Sequence, residues 1–229
     1  MKLTSSAVAA MLDLSLLKPT LTVYDFEAGI ATARRLRTAS VCIMPWYLAR
    51  TTEALQGSGV HPCTVIGFPH GGHTTAAKVR EAEIALADGA DELDIVINIT
   101  AALSGKWDYV GGEIRALTEL THAAGKKIKV IFENCFLSDE QKIRVCECCA
   151  EAAVDWVKTS TGFGSGGAVN EDLVLMRRHT PPSIQLKAAG GVRSFERLKE
   201  LLDLGIGITR FGCTASEKVV AEAKAALGE

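Results

Sequence analysis

Short apolar runs alternate with longer amphipathic segments eight times along this chain, and that alternation is what most limits its fold. Runs suited to strands lie at Leu12–Leu17, Val41–Met44, Thr64–Phe68, Glu92–Ile97, Lys129–Glu133, Trp156–Ser160, Gln185–Ala188 and Ile208–Gly212. Helical segments fall near Tyr24–Thr38, Trp46–Gln56, Thr75–Asp88, Asp108–Ala124, Ser138–Ala153, Asn170–Arg178, Ser194–Leu204 and Thr214–Leu227. Apolar residues recur at helical spacing in Val79, Ala82, Ile84 and Ala85, and again in Leu198, Leu201 and Leu202. Gly89, Gly125 and Gly205 follow helical runs where a C-terminal stop belongs. Ser138-Asp-Glu and Asn170-Glu-Asp look like acidic helix starts. Strict strand–helix alternation predicts a parallel sheet. Right-handed crossovers close eight such units into a (β/α)8 barrel, a fold of typically about 250 residues. The 229 residues here suit a compact version. An open doubly wound sheet is the other arrangement, but no G-x-G-x-x-G follows an early strand. Without a linker, charge block or composition shift, residues 1–229 read as a single α/β domain.

Composition then excludes several classes of function. Hydrophobic residues at 48% and charged residues at 23% are the balance of a globular protein, which rules out disorder. A formal net charge of −2 leaves no basic field for nucleic acid or an anionic membrane. No stretch approaches the ~18 consecutive apolar residues of a membrane span. Residues 1–12 lack the pattern of a secretory signal. The seven cysteines, odd in number, are therefore expected to be reduced thiols in a cytoplasmic protein.

In a barrel of this kind the reactive residues sit at the C-terminal ends of the strands. Polar or reactive side chains recur there: Asp13, Cys42, Asp94, Glu133, Lys158 and Lys187. The two lysines say most, because each ends a short apolar strand and an ammonium is costly to desolvate. A single such lysine is expected to snorkel to solvent at the barrel rim. Two on neighbouring strands repel each other, and partial burial would lower the pKa of one, leaving a neutral amine. Such an amine attacks a carbonyl carbon to give a Schiff base, whose protonated form is an electron sink for carbon–carbon cleavage or formation. Asp94 lies within an apolar strand as either a salt-bridge partner of a lysine or a proton carrier between lysine, water and substrate. Glu92 shares its face nearer the strand start. Glu133 reads as a pocket acid or an ion-pair partner of Lys158, with a supporting role favoured.

Two glycine groups suit a phosphate. Ala189-Gly190-Gly191 and Gly212-Cys213-Thr214 follow the last two strands, the second opening the last helix, where free amides favour an anion. The loop Gly162-Phe-Gly-Ser-Gly-Gly167 adds a flexible rim. His70-Gly-Gly-His73 is a weak metal signal, since no carboxylate or cysteine is tied to it, and no metal is expected. Cys146 and Cys149 form a C-x-x-C inside a helix without a second pair, so they read as small buried apolar residues. Cys42 ends a strand and is expected to line the pocket without acting as a nucleophile.

These motifs together resemble the deoxyribose-phosphate aldolases along nearly the whole chain. The matching segments are Leu16-Leu-Lys-Pro19 after Asp13, Gly67-Phe-Pro-His-Gly71, Gly89 to Asn98, Val157 to Gly167 and Lys187 to Arg193. The resemblance implies a (β/α)8 TIM barrel and a class I aldolase that needs neither metal nor organic cofactor. It implies the reversible joining of acetaldehyde to glyceraldehyde 3-phosphate, with sugar phosphates and aldehydes as the only partners and a homodimer as the assembly. By the same resemblance Lys158 forms the imine, Lys187 makes its amine available, and Asp94 with Lys187 relays protons through water. Asp13, Ser15, Cys42, Thr161, Gly162, Gly190, Gly191, Gly212 and Thr214 are the substrate-binding candidates. Three departures stand out: Asp13-Leu-Ser15 where Asp-His-Thr is common, Asn134 where threonine is usual, and Cys213-Thr-Ala-Ser216 where two adjacent serines usually meet phosphate. They leave the lysine chemistry intact and put phosphate preference in question. The contrasting reading is a sugar-phosphate-binding barrel without turnover, or a metal-free isomerase on the same scaffold.

Overall fold

The computed structural model describes residues 3–229; Met1 and Lys2, the start of the expected 1–229 domain, lie outside the described residues. Eight parallel strands close into a barrel in chain order, the last pairing with the first. They are β1 (Leu12–Leu16), β2 (Ser40–Ile43), β3 (His61–Ile66), β4 (Glu92–Val96), β5 (Lys127–Ile131), β6 (Trp156–Lys158), β7 (Gln185–Ala189) and β8 (Ile208–Cys213). Each lies on its expected run. The largest shifts are at β3 and β5, which begin earlier, at His61 and Lys127. Both first residues are exposed and polar, so the apolar pattern passes them by, yet they pair in register with Ser40 and Glu92. β4 is buried at every position, as expected for a parallel strand covered on both faces.

Among the described residues ten α-helices surround the barrel: α1 (Ser5–Ala9), α2 (Val23–Leu36), α3 (Leu48–Leu55), α4 (Thr75–Ala87), α5 (Ile99–Leu103), α6 (Trp107–Ala123), α7 (Asp139–Ala152), α8 (Asn170–Arg178), α9 (Phe195–Asp203) and α10 (Ser216–Leu227). Local chemistry sets their ends. Thr22 with Asp25 and Ser138 with Gln141 form capping boxes, each satisfying two backbone donors at a helix start. Gly89, Gly125 and Gly205 take positive φ where α4, α6 and α9 stop. In α9 the 3.6 spacing buries Phe195, Leu198 and Leu201 on one face.

Some details differ from the sequence reading. The expected Trp46–Gln56 helix begins as a 3-10 turn at Pro45–Tyr47, and only Leu48–Leu55 is α-helical. Asn170 is the first helical residue of α8 and does not cap it; its amide donates to Glu200 instead. The last helix starts at Ser216 and not at Thr214, because β8 runs on to Cys213. α1 and α5 are too short to show a periodicity.

Candidate active site

Register places the two lysines side by side, Lys158 at the end of β6 directly opposite Lys187 in the middle of β7. Neither snorkels. Lys158 is 3% exposed and Lys187 is fully buried. What holds two cations there is a shared carboxylate: Asp94 Oδ2 accepts from Lys158 Nζ at 2.6 Å and from Lys187 Nζ at 2.7 Å. Its other oxygen accepts from Lys129 Nζ at 2.7 Å and from the Cys63 thiol at 3.3 Å. Burial alone would push the Asp94 carboxyl up, but the ammonium groups of Lys129, Lys158 and Lys187 hold it well below the usual carboxylate range. Burial likewise works against the Lys187 ammonium, and the Asp13 and Asp94 carboxylates more than offset it, keeping Lys187 charged well above the ordinary lysine range.

A second layer of charge lies around this trio. Asp13 Oδ2 is 2.5 Å from Lys187 Nζ, and its Oδ1 accepts from Arg210 at 2.6 Å. Glu92 accepts from the second guanidinium nitrogen of Arg210 at 2.7 Å and lies 2.5 Å from Lys129 Nζ. The Trp156 ring closes one side, 5.2 Å from the Arg210 guanidinium and 5.8 Å from Lys129 Nζ. Lys129 and Arg210 were not among the sequence-predicted site residues. The signal that singles out Asp94, a charge inside an apolar strand, marks them as well. Lys129 sits in Lys-Ile-Lys-Val-Ile in register with Asp94, and Arg210 precedes Gly212 by two residues on the same inward face.

Above the charges opens a cavity of about 540 Å³ at the C-terminal ends of β1, β6, β7 and β8. Of the expected site residues, Lys158, Ser15, Thr161, Gly162, Gly190, Gly191, Gly212 and Thr214 line it. Asp13, Cys42, Asp94 and Lys187 do not; all four are fully buried below its floor. Asp13 and Cys42, two of the substrate-binding candidates, are thus not on the cavity wall. Asp13 is occupied by Lys187 and Arg210, and Cys42 faces Asp94 at 3.9 Å. Lys18, Phe163 and Arg193 also line the cavity. Phe163 meets Phe68 edge to face at 5.3 Å on the rim.

Glu133 does not pair with Lys158. Its carboxylate accepts the Thr161 hydroxyl and, at 3.2 Å, the Thr161 amide, and so anchors the start of the glycine-rich loop. That loop in turn packs on the β7 loop. A Cβ on Gly190 would lie 2.8 Å from Gly167 Cα, and Gly190 has φ 87°, so only glycine fits the crossing without strain. The Ser216 hydroxyl turns inward to the Cys213 carbonyl at 3.4 Å and is buried, which leaves Thr214 as the hydroxyl of the β8–α10 loop on the pocket. Cys146 and Cys149 are buried, and burial pushes the Cys146 thiol up to about 12. Among the described residues one group has metal-ligand spacing, Cys42, Cys63 and Asp94, with ligand atoms within 4.8 Å of one another. Three ammonium groups already occupy the Asp94 oxygens, and their charge opposes a cation at that point. No helix among the described residues is long and apolar enough to cross a membrane.

A barrel whose mouth presents a lysine amine backed by a buried carboxylate is built for covalent chemistry at a carbonyl carbon. Comparison with known proteins gives that class a family. The profile described as DeoC/LacD family aldolase matches residues 6–213. The deoxyribose-phosphate aldolase of Rhodopirellula baltica is 57% identical over 96% of this chain and 91% of its own length. That of Caldanaerobacter subterraneus subsp. tengcongensis is 44% identical over 95% and 94%. Among solved structures, the tetrameric deoxyribose phosphate aldolase of Aeropyrum pernix superposes with a TM-score of 0.88 at 28% identity, covering 97% of this chain and 93% of that one. The chain belongs to the DeoC/LacD family of aldolases.

Proposed function

We propose that this protein is a carbon–carbon lyase that cleaves 2-deoxy-D-ribose 5-phosphate reversibly to acetaldehyde and D-glyceraldehyde 3-phosphate through an imine on Lys158. One observation carries the assignment of the lysine: of the buried charged residues grouped around Asp94, Lys158 alone lines the cavity. The names of the relatives favour an aldolase over a binding barrel or an isomerase.

The chemistry follows from that placement. The Lys158 amine adds to the C1 aldehyde of the open-chain sugar and water leaves, giving a protonated imine. Removal of the C3 hydroxyl proton breaks the C2–C3 bond. Its electron pair enters the imine, giving an enamine on Lys158 and free glyceraldehyde 3-phosphate. Protonation at C2 and attack of water at C1 then release acetaldehyde and restore the amine. Asp94 and Lys187, both in contact with the Lys158 side of the site, are the residues we assign to hold and pass these protons. The imine nitrogen is the electron sink throughout, so the scheme calls on neither metal nor organic cofactor. Ser15, Thr161 and Gly162 would line the sugar, and Gly190, Gly191, Gly212 and Thr214 the phosphate, with Lys18 and Arg193 supplying positive charge at the mouth. Because Thr214 is the sole pocket hydroxyl of its loop, phosphate preference is expected to be weaker than two hydroxyls would give. We further propose that residues 1–229 act as one catalytic domain in the cytoplasm and assemble as a homo-oligomer, with a dimer expected and a tetramer precedented in the Aeropyrum relative.

The test is reduction with borohydride in the presence of acetaldehyde, followed by peptide mapping. The adduct is expected on Lys158. An adduct on Lys187, or none, overturns the assignment.

A further inference from the structure

Seven consecutive residues, Thr161 to Gly167, line the cavity, a longer run than any other part of the chain supplies. Four of them are glycines, a composition that leaves the backbone many conformations. Among the described residues, Gly162 to Gly167 make one hydrogen bond, from the Phe163 amide to the Thr161 hydroxyl at 3.0 Å. A loop with so little internal bonding takes its shape from where its two ends are held.

Glu133 holds the entry through the amide and hydroxyl of Thr161. Ala168 is the exit. Its amide donates to the Gly190 carbonyl at 2.9 Å, and its carbonyl accepts from Arg197 Nη2 at 2.7 Å. One residue earlier, a Cβ on Gly167 would lie 2.5 Å from the Gly190 carbonyl oxygen, so the two backbones already touch. Arg197 stands in the first turn of α9, the helix into which the β7 loop runs. Its amide donates to the capping hydroxyl of Ser194 at 3.2 Å. Its second terminal nitrogen is 2.6 Å from Glu200, which also accepts the Asn170 side-chain amide at 2.8 Å. One helix therefore carries the β7 loop at its start and clamps the end of the glycine-rich loop with a side chain.

We propose that Arg197 is a positioning residue for phosphorylated substrate. By fixing the Ala168 carbonyl it sets the spacing of the two glycine loops, and with it the wall on which a phosphate rests. The inference rests on the phosphate seat proposed above and adds to it a residue that is not on the cavity wall. A guanidinium suits the task because its planar fork serves two acceptors, the Ala168 carbonyl and the Glu200 carboxylate, in one fixed geometry. The other ties between these segments lie elsewhere. The Thr159 hydroxyl bridges to the Ala189 backbone before the loop begins, at 2.9 and 3.0 Å, and Glu133 acts at the entry. Neither reaches the exit.

The test compares the full-length parent with Arg197→Met, using kcat/KM for 2-deoxyribose 5-phosphate and for 2-deoxyribose. The ratio of the two is expected to fall about tenfold, the effect of one hydrogen bond to a charged group. The fall should come from a higher KM for the phosphorylated substrate, with kcat and the borohydride-trapped acetaldehyde adduct on Lys158 retained. An unchanged ratio, or an equal loss on both substrates, overturns the inference. Hydrogen–deuterium exchange reads the clamp without turnover. The Ala168 amide should exchange faster in Arg197→Met while the amides of β6 and β7 keep the parent's rates. An unaltered Ala168 rate also overturns the inference. Glu200→Gln separates position from charge. It removes the negative charge beside Arg197, so an effect of Arg197 through its field alone would raise the ratio. Positioning predicts no rise, and a rise overturns it. A parent that cleaves neither substrate overturns the function reading and this inference together, whereas a parent that cleaves both, with an unchanged ratio in Arg197→Met, overturns this inference alone.

Discussion

Replacing Thr214 by valine keeps the shape of the side chain and removes one hydroxyl from the wall of the cavity. In the loop between β8 and α10, Thr214 lines the pocket, Ala215 carries no hydroxyl, and the Ser216 hydroxyl is buried against the Cys213 carbonyl at 3.4 Å. A phosphate seated by Gly190, Gly191 and Gly212 therefore draws one hydroxyl from this loop, where the usual arrangement has two. A hydrogen bond to a charged group contributes about 1.5–3 kcal/mol, which is roughly ten- to a hundredfold in affinity. The assay is kcat/KM for 2-deoxyribose 5-phosphate and for unphosphorylated 2-deoxyribose, expressed as a ratio. Thr214→Val should lower that ratio by roughly ten- to a hundredfold and leave the unphosphorylated substrate nearly unaffected. Ala215→Ser should raise the ratio, because the new hydroxyl stands next to Thr214 at the start of α10. A ratio unchanged in both variants refutes the placement of the phosphate.

Two further outcomes follow from the buried site. Asp94→Asn leaves three ammonium groups around a neutral amide and should cost about 3–5 kcal/mol of stability. The folded-state carboxyl is depressed, so its contribution is fully present above the unfolded value near pH 4 and lost only as pH falls through the lower folded value. The stability difference between parent and variant, measured by urea unfolding, should therefore be flat from neutral pH down to about pH 4 and narrow below it; a difference that shrinks between pH 7 and 5 would count against this pairing. Gly190→Ala forces a Cβ into a positive-φ position 2.8 Å from Gly167 Cα, so scanning calorimetry should show a melting temperature lower by several degrees, for a strain of about 1–3 kcal/mol. An unaltered melting temperature would show that the two loops yield freely.

Much of the site was legible because it broke a local rule. Lys158, Lys187 and Asp94 are charges in largely apolar strands, and such charges need a reason to be buried. Lys129 and Arg210 break the same rule. Lys129 opens the run expected at Lys129–Glu133, whereas the strand begins at Lys127, so its charge lies inside the strand and not at its start. Asp13 and Cys42 illustrate a different limit. Asp13 belongs to a strand that ends at the cavity, but the residue facing the pocket on β1 is Ser15, two positions further along the same face, and Cys42 lies on β2, none of whose residues line the cavity. Position along a strand gives the side of the barrel, not the depth. For Glu133 the sequence leaves a pocket acid and an ion-pair partner of Lys158 both open, with a supporting role favoured, and the structure shows its carboxylate on Thr161 from a left-handed backbone position.

The sequence alone determined the barrel and singled out the two lysines on its sixth and seventh strands. The eightfold strand–helix alternation, the capping residues and the glycine stops are all short-range signals, each readable within one or two turns of chain. Tertiary structure decided how the charges are shared. Arg210 and Asp13 are 197 residues apart and meet because β8 closes on β1. Lys187 and Asp94 are 93 apart and meet across the barrel interior. Coulombic attraction depends on distance and on the exclusion of water, and both are set only when the sheet has closed. Which lysine faces the cavity, and which is locked between carboxylates beneath it, is a consequence of that closure.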